Sequence, residues 1–253
     1  MAEVEVETAG GLMIVAINRP QARNAANRAV ATTIAEAMDE LDRRNDLRVA
    51  IITGRGGTFC AGMDLKAFLR GELARIDGRG FAGLTEALPR KPLIAAVEGH
   101  ALAGGFELAL ACDLIVAAEN AQFGLPEVKR GLVANAGGLL RLPRQLPFRV
   151  AMEFVLTGAV VSAPELRKFG LINRVVAPGQ ALPQAVQLAE VIIQNGPMAV
   201  AASKRVMLEA LDWPTTEMFA LQRAITAPIF ASRDAQEGAR AFAEKRAPVW
   251  QNA

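Results

Sequence analysis

The sequence predicts an α/β protein of repeated β-β-α turns followed by a helical C-terminal third. Apolar runs of strand length at 49–52, 93–97 and 114–118 are each reached through a glycine-containing loop or a helical stretch. Strand signals nearly disappear after about Asn135, where long Ala-rich helical stretches take over. Glycine and proline fall mostly between these elements, and no low-complexity linker separates two independent domains.

Val4 and Val6, then Leu12 to Ile17, flank Gly10-Gly11 and read as a β-hairpin. After Pro20, Asn27 is placed to cap a helix in which Val30, Ile34, Met38 and Leu41 form the apolar stripe, ending near Asn45. A strand at 49–52, a loop at 53–62 and helical material to about Leu88 follow. The next round runs from a strand at 93–97 through the loop 98–104 and a helix at 105–111 to a strand at 114–118. Helices are expected at 147–157, 181–194, 197–210, 214–230 and 232–246. Such a segment rarely holds a full core of its own, so it is expected to pack on the body or on neighbouring subunits.

With 253 residues and 52% hydrophobic content the chain can bury a sizeable core. The 28 basic and 26 acidic residues are dispersed, giving a net charge of +2 and no footprint for nucleic acid. Cys60 and Cys112 make no disulfide framework and fit a reducing compartment. The acidic alternation at residues 1–7 is unlike a signal peptide, and no apolar run has the length of a membrane span. A soluble cytoplasmic protein is the expectation. A single histidine, His100, excludes chemistry that needs two.

Two loops carry candidate chemistry. Gly54-Arg55-Gly56-Gly57-Thr58-Phe59-Cys60-Ala61-Gly62-Met63-Asp64-Leu65-Lys66 leaves a buried strand with small residues just before Met63, so its backbone can approach a ligand. Glu98-Gly99-His100-Ala101-Leu102-Ala103-Gly104-Gly105 opens a helix, where free N–H groups face outward. An N–H from each loop could pinch a thioester oxyanion, one such donor being worth ~3 kcal/mol of barrier. Glu107 stands one helical turn beyond Gly104 among Phe106, Leu108 and Leu110, surroundings that raise a carboxyl pKa and suit proton transfer. Glu127 follows Pro126 in what reads as a first helical turn. Each glutamate alone has a structural explanation; together they form a candidate acid and base pair. Arg23, Lys66 and Arg70 are candidate phosphate contacts.

The combination resembles the crotonase superfamily. The residues that carry it are Asn18-Arg19-Pro20 with Arg23-Asn24-Ala25, then Phe59-Cys60-Ala61-Gly62-Met63-Asp64-Leu65-Lys66, Glu98 through Ala109, Ala121-Gln122-Phe123-Gly124-Leu125-Pro126-Glu127, Gly137-Gly138, Leu156-Thr157-Gly158 and the ending from Glu237-Gly238 to Lys245-Arg246. The resemblance spans nearly the whole chain. It implies a spiral of ββα repeats over 1–195 and a helical region over 196–253 used in trimerisation, with a homotrimer or dimer of trimers as the assembly.

It further implies that the Met63 and Gly104 amides form the oxyanion hole. By the same carry-over Arg23, Ala25, Ala61, Gly62, Met63, Asp64, Leu65, Lys66 and Gly104 line the CoA thioester, and Glu107 and Glu127 hold a water between them. The implied activity is enoyl-CoA hydration, with the CoA thioester as substrate and no metal or redox cofactor. Segments such as Gly80-Phe81-Ala82-Gly83-Leu84-Thr85 and Leu139-Leu140-Arg141-Leu142-Pro143 are similar to carnitinyl-CoA dehydratase, making dehydration of a 3-hydroxyacyl-CoA the alternative. Isomerisation and non-catalytic acyl-CoA binding are further alternatives, which the presence of both glutamates disfavours. Val133-Ala134-Asn135-Ala136 departs from the usual proline-containing turn before the glycine pair, a change expected to affect the acyl pocket and leave the glutamates untouched.

Overall fold

The N-terminal hairpin forms as its alternation predicts. In the computed structural model, which describes residues 2–253, β1 (Val4–Ala9) and β2 (Leu12–Ile17) pair antiparallel across Gly10-Gly11, with Val4 opposite Ile17. Asn27 caps α1 (Arg28–Arg43) by accepting the Val30 N–H at 3.0 Å, and Val30, Ile34, Met38 and Leu41 are all buried. β3 (Val49–Gly54) then lies parallel to β2.

The helix expected up to Leu88 is not there. The segment instead forms α2 (Leu65–Leu69) and a small hairpin of β4 (Arg75–Ile76) with β5 (Gly80–Phe81). Gly71, Gly78 and Gly80 all take positive φ, which stops helix propagation. β6 (Leu93–Val97) follows as expected, but the loop after it contains a further strand, β7 (His100–Leu102), before α3 (Gly104–Leu110) and β8 (Leu114–Ala118). β9 (Gln122–Gly124) leads to a 3₁₀ turn at Pro126–Arg130.

The remaining elements are α4 (Gly138–Gln145), α5 (Phe148–Thr157), β10 (Val160–Ser162), α6 (Ala163–Lys168), β11 (Arg174–Val176), α7 (Ala181–Ile193), α8 (Pro197–Glu209), α9 (Met218–Phe230) and α10 (Arg233–Glu244). The five expected C-terminal helices are present, α9 starting at 218 instead of 214. The two short strands in this region were not signalled, and β11 joins the edge of the main sheet.

The main sheet runs β1-β2-β3-β6-β8-β11, parallel throughout except for the hairpin. One face carries Met13, Val15, Ile52 and Val97 into a large core shared with α1, α3 and a second sheet, β10-β9-β7. The other face carries Leu12, Val49, Ile51 and Ile94 against Ala181, Ala185 and Ala189, whose small side chains let α7 lie close to the strands. The second sheet continues sideways through bridges between Cys60 and Ala101 and between Ala26 and Met63, bringing both candidate loops to one edge. Among the described residues no helix is long and apolar enough to cross a membrane.

Lys204 pins α8 by donating to Asp113 Oδ2 at 2.7 Å and to the Lys91 carbonyl at 2.9 Å. Beyond α10 the chain doubles back. The Asp234 carboxylate accepts the Gln251 and Asn252 N–H groups at 2.7 and 3.0 Å, and the Trp250 Nε1–H reaches the Gln194 carbonyl at 2.8 Å. The Trp250 ring lies against Gly238 and Gly196, and a Cβ would be 3.3 Å from it at Gly238 and 3.6 Å from it at Gly196. Trp250→Ala should cost about 2 kcal/mol, since the ring is only half-buried. In thermal unfolding that corresponds to a Tm lower by about 5 °C; an unchanged Tm would deny the tail its latching role.

Candidate active site

Everything at the site depends on how two loops lie side by side. Cys60 donates its N–H to the His100 carbonyl at 2.9 Å and accepts the Leu102 N–H at 3.0 Å. Gly105 sits so near that a Cβ there would be 2.0 Å from the Cys60 oxygen. On the other side Ala26 donates to the Gly62 carbonyl and accepts from the Asp64 N–H, both at 2.8 Å. Extended backbone alternates its polar groups, so the Met63 N–H between these two points away from Ala26, toward the second loop. Gly62, with φ of +99°, lies against Ala103 and the Gly104 nitrogen, and only glycine fits both the dihedral and the contact. Among the described residues neither the Met63 nor the Gly104 N–H donates to a protein acceptor.

Ala103 orients the second of these amides. It caps α3 at φ 52°, ψ −128°, a conformation disfavoured for any residue with a Cβ and costing on the order of 1–3 kcal/mol. It is held there by donating to the Gly124 carbonyl at 2.8 Å while its own carbonyl accepts from Phe106 and Glu107. An Ala-to-Gly-Gly step gives no sequence sign of this strain.

Glu107 is 2% exposed, one turn into α3. Its Oε1 accepts the N–H groups of Ala136 at 2.7 Å and Gly138 at 2.9 Å, the latter opening α4. The departing loop thus holds Glu107 through main-chain N–H groups, which are present whatever its side chains, a contact that sequence reading missed. Burial raises the Glu107 carboxyl above its ordinary range, against the lowering effect of the two N–H donors and the charge of Arg141. Glu127 is half-buried in the turn after β9, and its Oε2 is buried without a partner. Burial again raises its carboxyl, and the Glu107 charge raises it further, so the two carboxyls lie within electrostatic reach of one another.

The expected thioester-lining residues divide into two groups. Gly62, Met63 and Gly104 come together at the loop junction, with Ala61 and Ala25 beside them, Ala61 donating to the Arg23 carbonyl at 3.1 Å. Arg23, Leu65 and Lys66 are exposed along the rim, as is Arg70. Asp64 is a brace: its carboxylate accepts from Arg19 at 2.8 Å and caps α2 through the Lys66 and Ala67 N–H groups at 3.0 and 3.1 Å. That ion pair holds the Asp64 carboxyl below its usual range. The braces Arg19 and Asn24 appeared in sequence only as motif letters; Asn24 is fully buried, its side-chain N–H groups donating to the Arg55 and Thr58 carbonyls at 2.8 and 2.6 Å. His100 is exposed, with Nδ1 at 3.5 Å from the Thr58 hydroxyl, and does not join the carboxylates. Both cysteines are buried, and burial pushes the Cys60 thiol up to about 11, which leaves it unreactive. Among the described residues no group of three or more His, Cys, Asp or Glu side chains is placed to hold a metal.

A family model described as enoyl-CoA hydratase/isomerase matches residues 7–253. The chain belongs to that family. The enoyl-CoA hydratase EchA19 of Mycobacterium tuberculosis is 45% identical, over 98% of this chain and 96% of the relative. A carnitinyl-CoA dehydratase from Salmonella typhi is 44% identical over 95% of each chain. The crystal structure of the enoyl-CoA hydratase EchA1 from Mycobacterium marinum superposes with a TM-score of 0.99 at 56% identity, over the full length of both chains. This architecture of sheets flanked by helices is thus the crotonase fold of this enoyl-CoA hydratase/isomerase family.

Proposed function

We propose that the protein hydrates the 2,3 double bond of a 2-enoyl-CoA thioester, reversibly. The observation that carries this is the pairing of two unpartnered amides, Met63 and Gly104, with two coupled carboxyls in unlike surroundings. Glu107 has two N–H donors that favour its ionised form, whereas the buried Glu127 Oε2 has none. Such environments suit a base and an acid respectively.

In the proposed path the Met63 and Gly104 N–H groups receive the thioester carbonyl oxygen. Glu107 takes a proton from water as its oxygen bonds to C3, and the double-bond electrons pass to the carbonyl as an enolate. The enolate collapses as Glu127 gives its proton to C2. Dehydration retraces these steps, and the 44% identity to a carnitinyl-CoA dehydratase makes a 3-hydroxyacyl-CoA the second substrate class to test. The thioester itself acidifies C2, so the chemistry calls for no metal or redox cofactor.

The exposed Arg23 and Lys66 are assigned to the phosphates of CoA. Residues 1–195 would carry the chemistry and 196–253 the contacts of a cytoplasmic trimer or dimer of trimers; α9 buries no residue within the chain, and Phe219 and Phe230 stand exposed on it.

Loss of enoyl-thioester absorbance on crotonyl-CoA and longer 2-enoyl-CoAs tests the reading directly. Turnover is expected on at least one chain length. If every enoyl-CoA were bound and none hydrated, and no 3-hydroxyacyl-CoA dehydrated, the protein would be a carrier and the proposal would fail.

A further inference from the structure

Arg141 is the one strong cation packed toward Glu107, yet it makes no ion pair within contact distance among the described residues. It lies on the first turn of α4, where its N–H donates to the Gly137 carbonyl at 2.9 Å. The guanidinium folds back over that turn. Nη2 donates to the Thr85 carbonyl at 2.7 Å, and Nη1 fills the space beside Gly137, where a Cβ would be 2.1 Å away. A half-buried guanidinium held by a single carbonyl is costly unless an anion compensates it.

The charged and titratable groups around Glu107 are few. The turn after β9 brings Glu127, with Arg130 beyond it; α4 brings Arg141; and the end of α3 brings Cys112, followed by Asp113 with its Lys204 partner. Burial drives the Cys112 thiol far up, so it is neutral and gives Arg141 no charge to pair with. Asp113 is already neutralised by Lys204 at 2.7 Å. That leaves Glu107 as the anion Arg141 faces.

The same short stretch therefore does two things. Its amides at 136 and 138 grip Glu107 Oε1, and the arginine three residues later clamps the stretch to the Thr85 carbonyl.

We propose that Arg141 is a positioning residue for the hydration reaction, clamping the 136–138 amides onto Glu107 and holding that carboxylate in its ionised, proton-accepting form. This rests on the assignment of Glu107 as base. It goes beyond that assignment in naming what keeps a deeply buried base ionised without hydrogen-bonding to it.

The test is the pH dependence of kcat/KM on a 2-enoyl-CoA for the wild type, Arg141→Gln and Arg141→Lys. Removing the cation raises the Glu107 carboxyl, so the acid limb of the Arg141→Gln profile is expected to move to higher pH by about one unit. That corresponds to a rate on the acid side about tenfold lower relative to its own plateau. Arg141→Lys keeps the charge and should return the limb to the wild-type position. An Arg141→Gln profile with the wild-type limb, whatever its plateau, would overturn the proposal, because a purely structural role lowers the plateau alone.

Should Arg141→Gln fail to fold, the Glu107→Gln/Arg141→Gln double variant is expected to fold, since no buried carboxylate then needs the cation. A double variant that also fails to fold would assign Arg141 to structure only and overturn the proposal. Full activity in Glu107→Gln would sink the base assignment itself. Loss of activity there with an unmoved limb in Arg141→Gln would sink only the inference about Arg141.

Discussion

Glu107→Gln is expected to lower kcat/KM on a 2-enoyl-CoA by about 10³-fold, and Glu127→Gln by a similar factor, within the 10²–10⁴ range of general acid–base catalysis. The isosteric amide keeps an oxygen able to accept the Ala136 and Gly138 N–H groups, so the 136–138 loop should stay in place. What it cannot do is take a proton from water. Glutamine is also uncharged and leaves the half-buried Arg141 guanidinium without the anion it faces, so the Tm of Glu107→Gln should lie below that of the wild type.

For Glu127 the argument runs through its unpartnered Oε2. Nothing in the protein needs that oxygen, so the loss on amidation should fall on turnover and not on folding. Each carboxyl is pushed up by burial, and the Glu107 charge pushes Glu127 up further. The wild-type profile should therefore be a bell whose acid limb, above the ordinary carboxylate range, marks loss of the ionised base. Its alkaline limb marks loss of the protonated acid, both being properties of the coupled pair. Rates follow from enoyl-thioester absorbance. A variant within threefold of the wild type would remove that glutamate from the mechanism.

Gly105→Ala should be the most damaging single-methyl change near the site. The new Cβ would stand 2.0 Å from the Cys60 oxygen and 2.7 Å from its carbon, both main-chain atoms. They cannot swing aside as a flexible side chain would, because that carbonyl accepts the Leu102 N–H and the Cys60 N–H donates to His100. The two loops must separate, and with them the Met63 and Gly104 amides. Loss of one oxyanion donor costs about 10²–10³ in kcat, and overpacking of this kind about 1–3 kcal/mol of stability. The expected signature is a Tm lower by several degrees with kcat falling far more than KM changes. A variant with wild-type kcat would show that the two amides do not act together on the thioester oxygen.

Much of the scaffold was legible in the chain because it is local. The Gly10-Gly11 hairpin, the Asn27-capped helix with its Val30-Ile34-Met38-Leu41 stripe and the apolar strands at 49, 93 and 114 are specified by turn chemistry and periodicity within a dozen or so residues. Where that information was ambiguous, the expectation failed. Between Leu69 and Leu88 the apolar residues fit a helix, but glycines at positive φ turn the chain into a hairpin instead. β7, β10 and β11 are three residues each, too short to leave a period, and exist because neighbouring strands offer them hydrogen-bonding edges.

The candidate site divides in the same way. The candidates Glu107, Glu127, Met63 and Gly104 are legible through motifs and family resemblance, since ionisable side chains and glycine-permitted backbone leave a mark in sequence. Their environment did not. The grip of Ala136 and Gly138 on Glu107 spans 29 and 31 positions, and the clamp from Arg141 to Thr85 spans 56. Which carboxyl has N–H donors and a facing cation, and which oxygen is left without a partner, depends on such distant groups. These converge only when β6, β8 and the second sheet bring α3 and α4 together, so folding decides it and local sequence cannot.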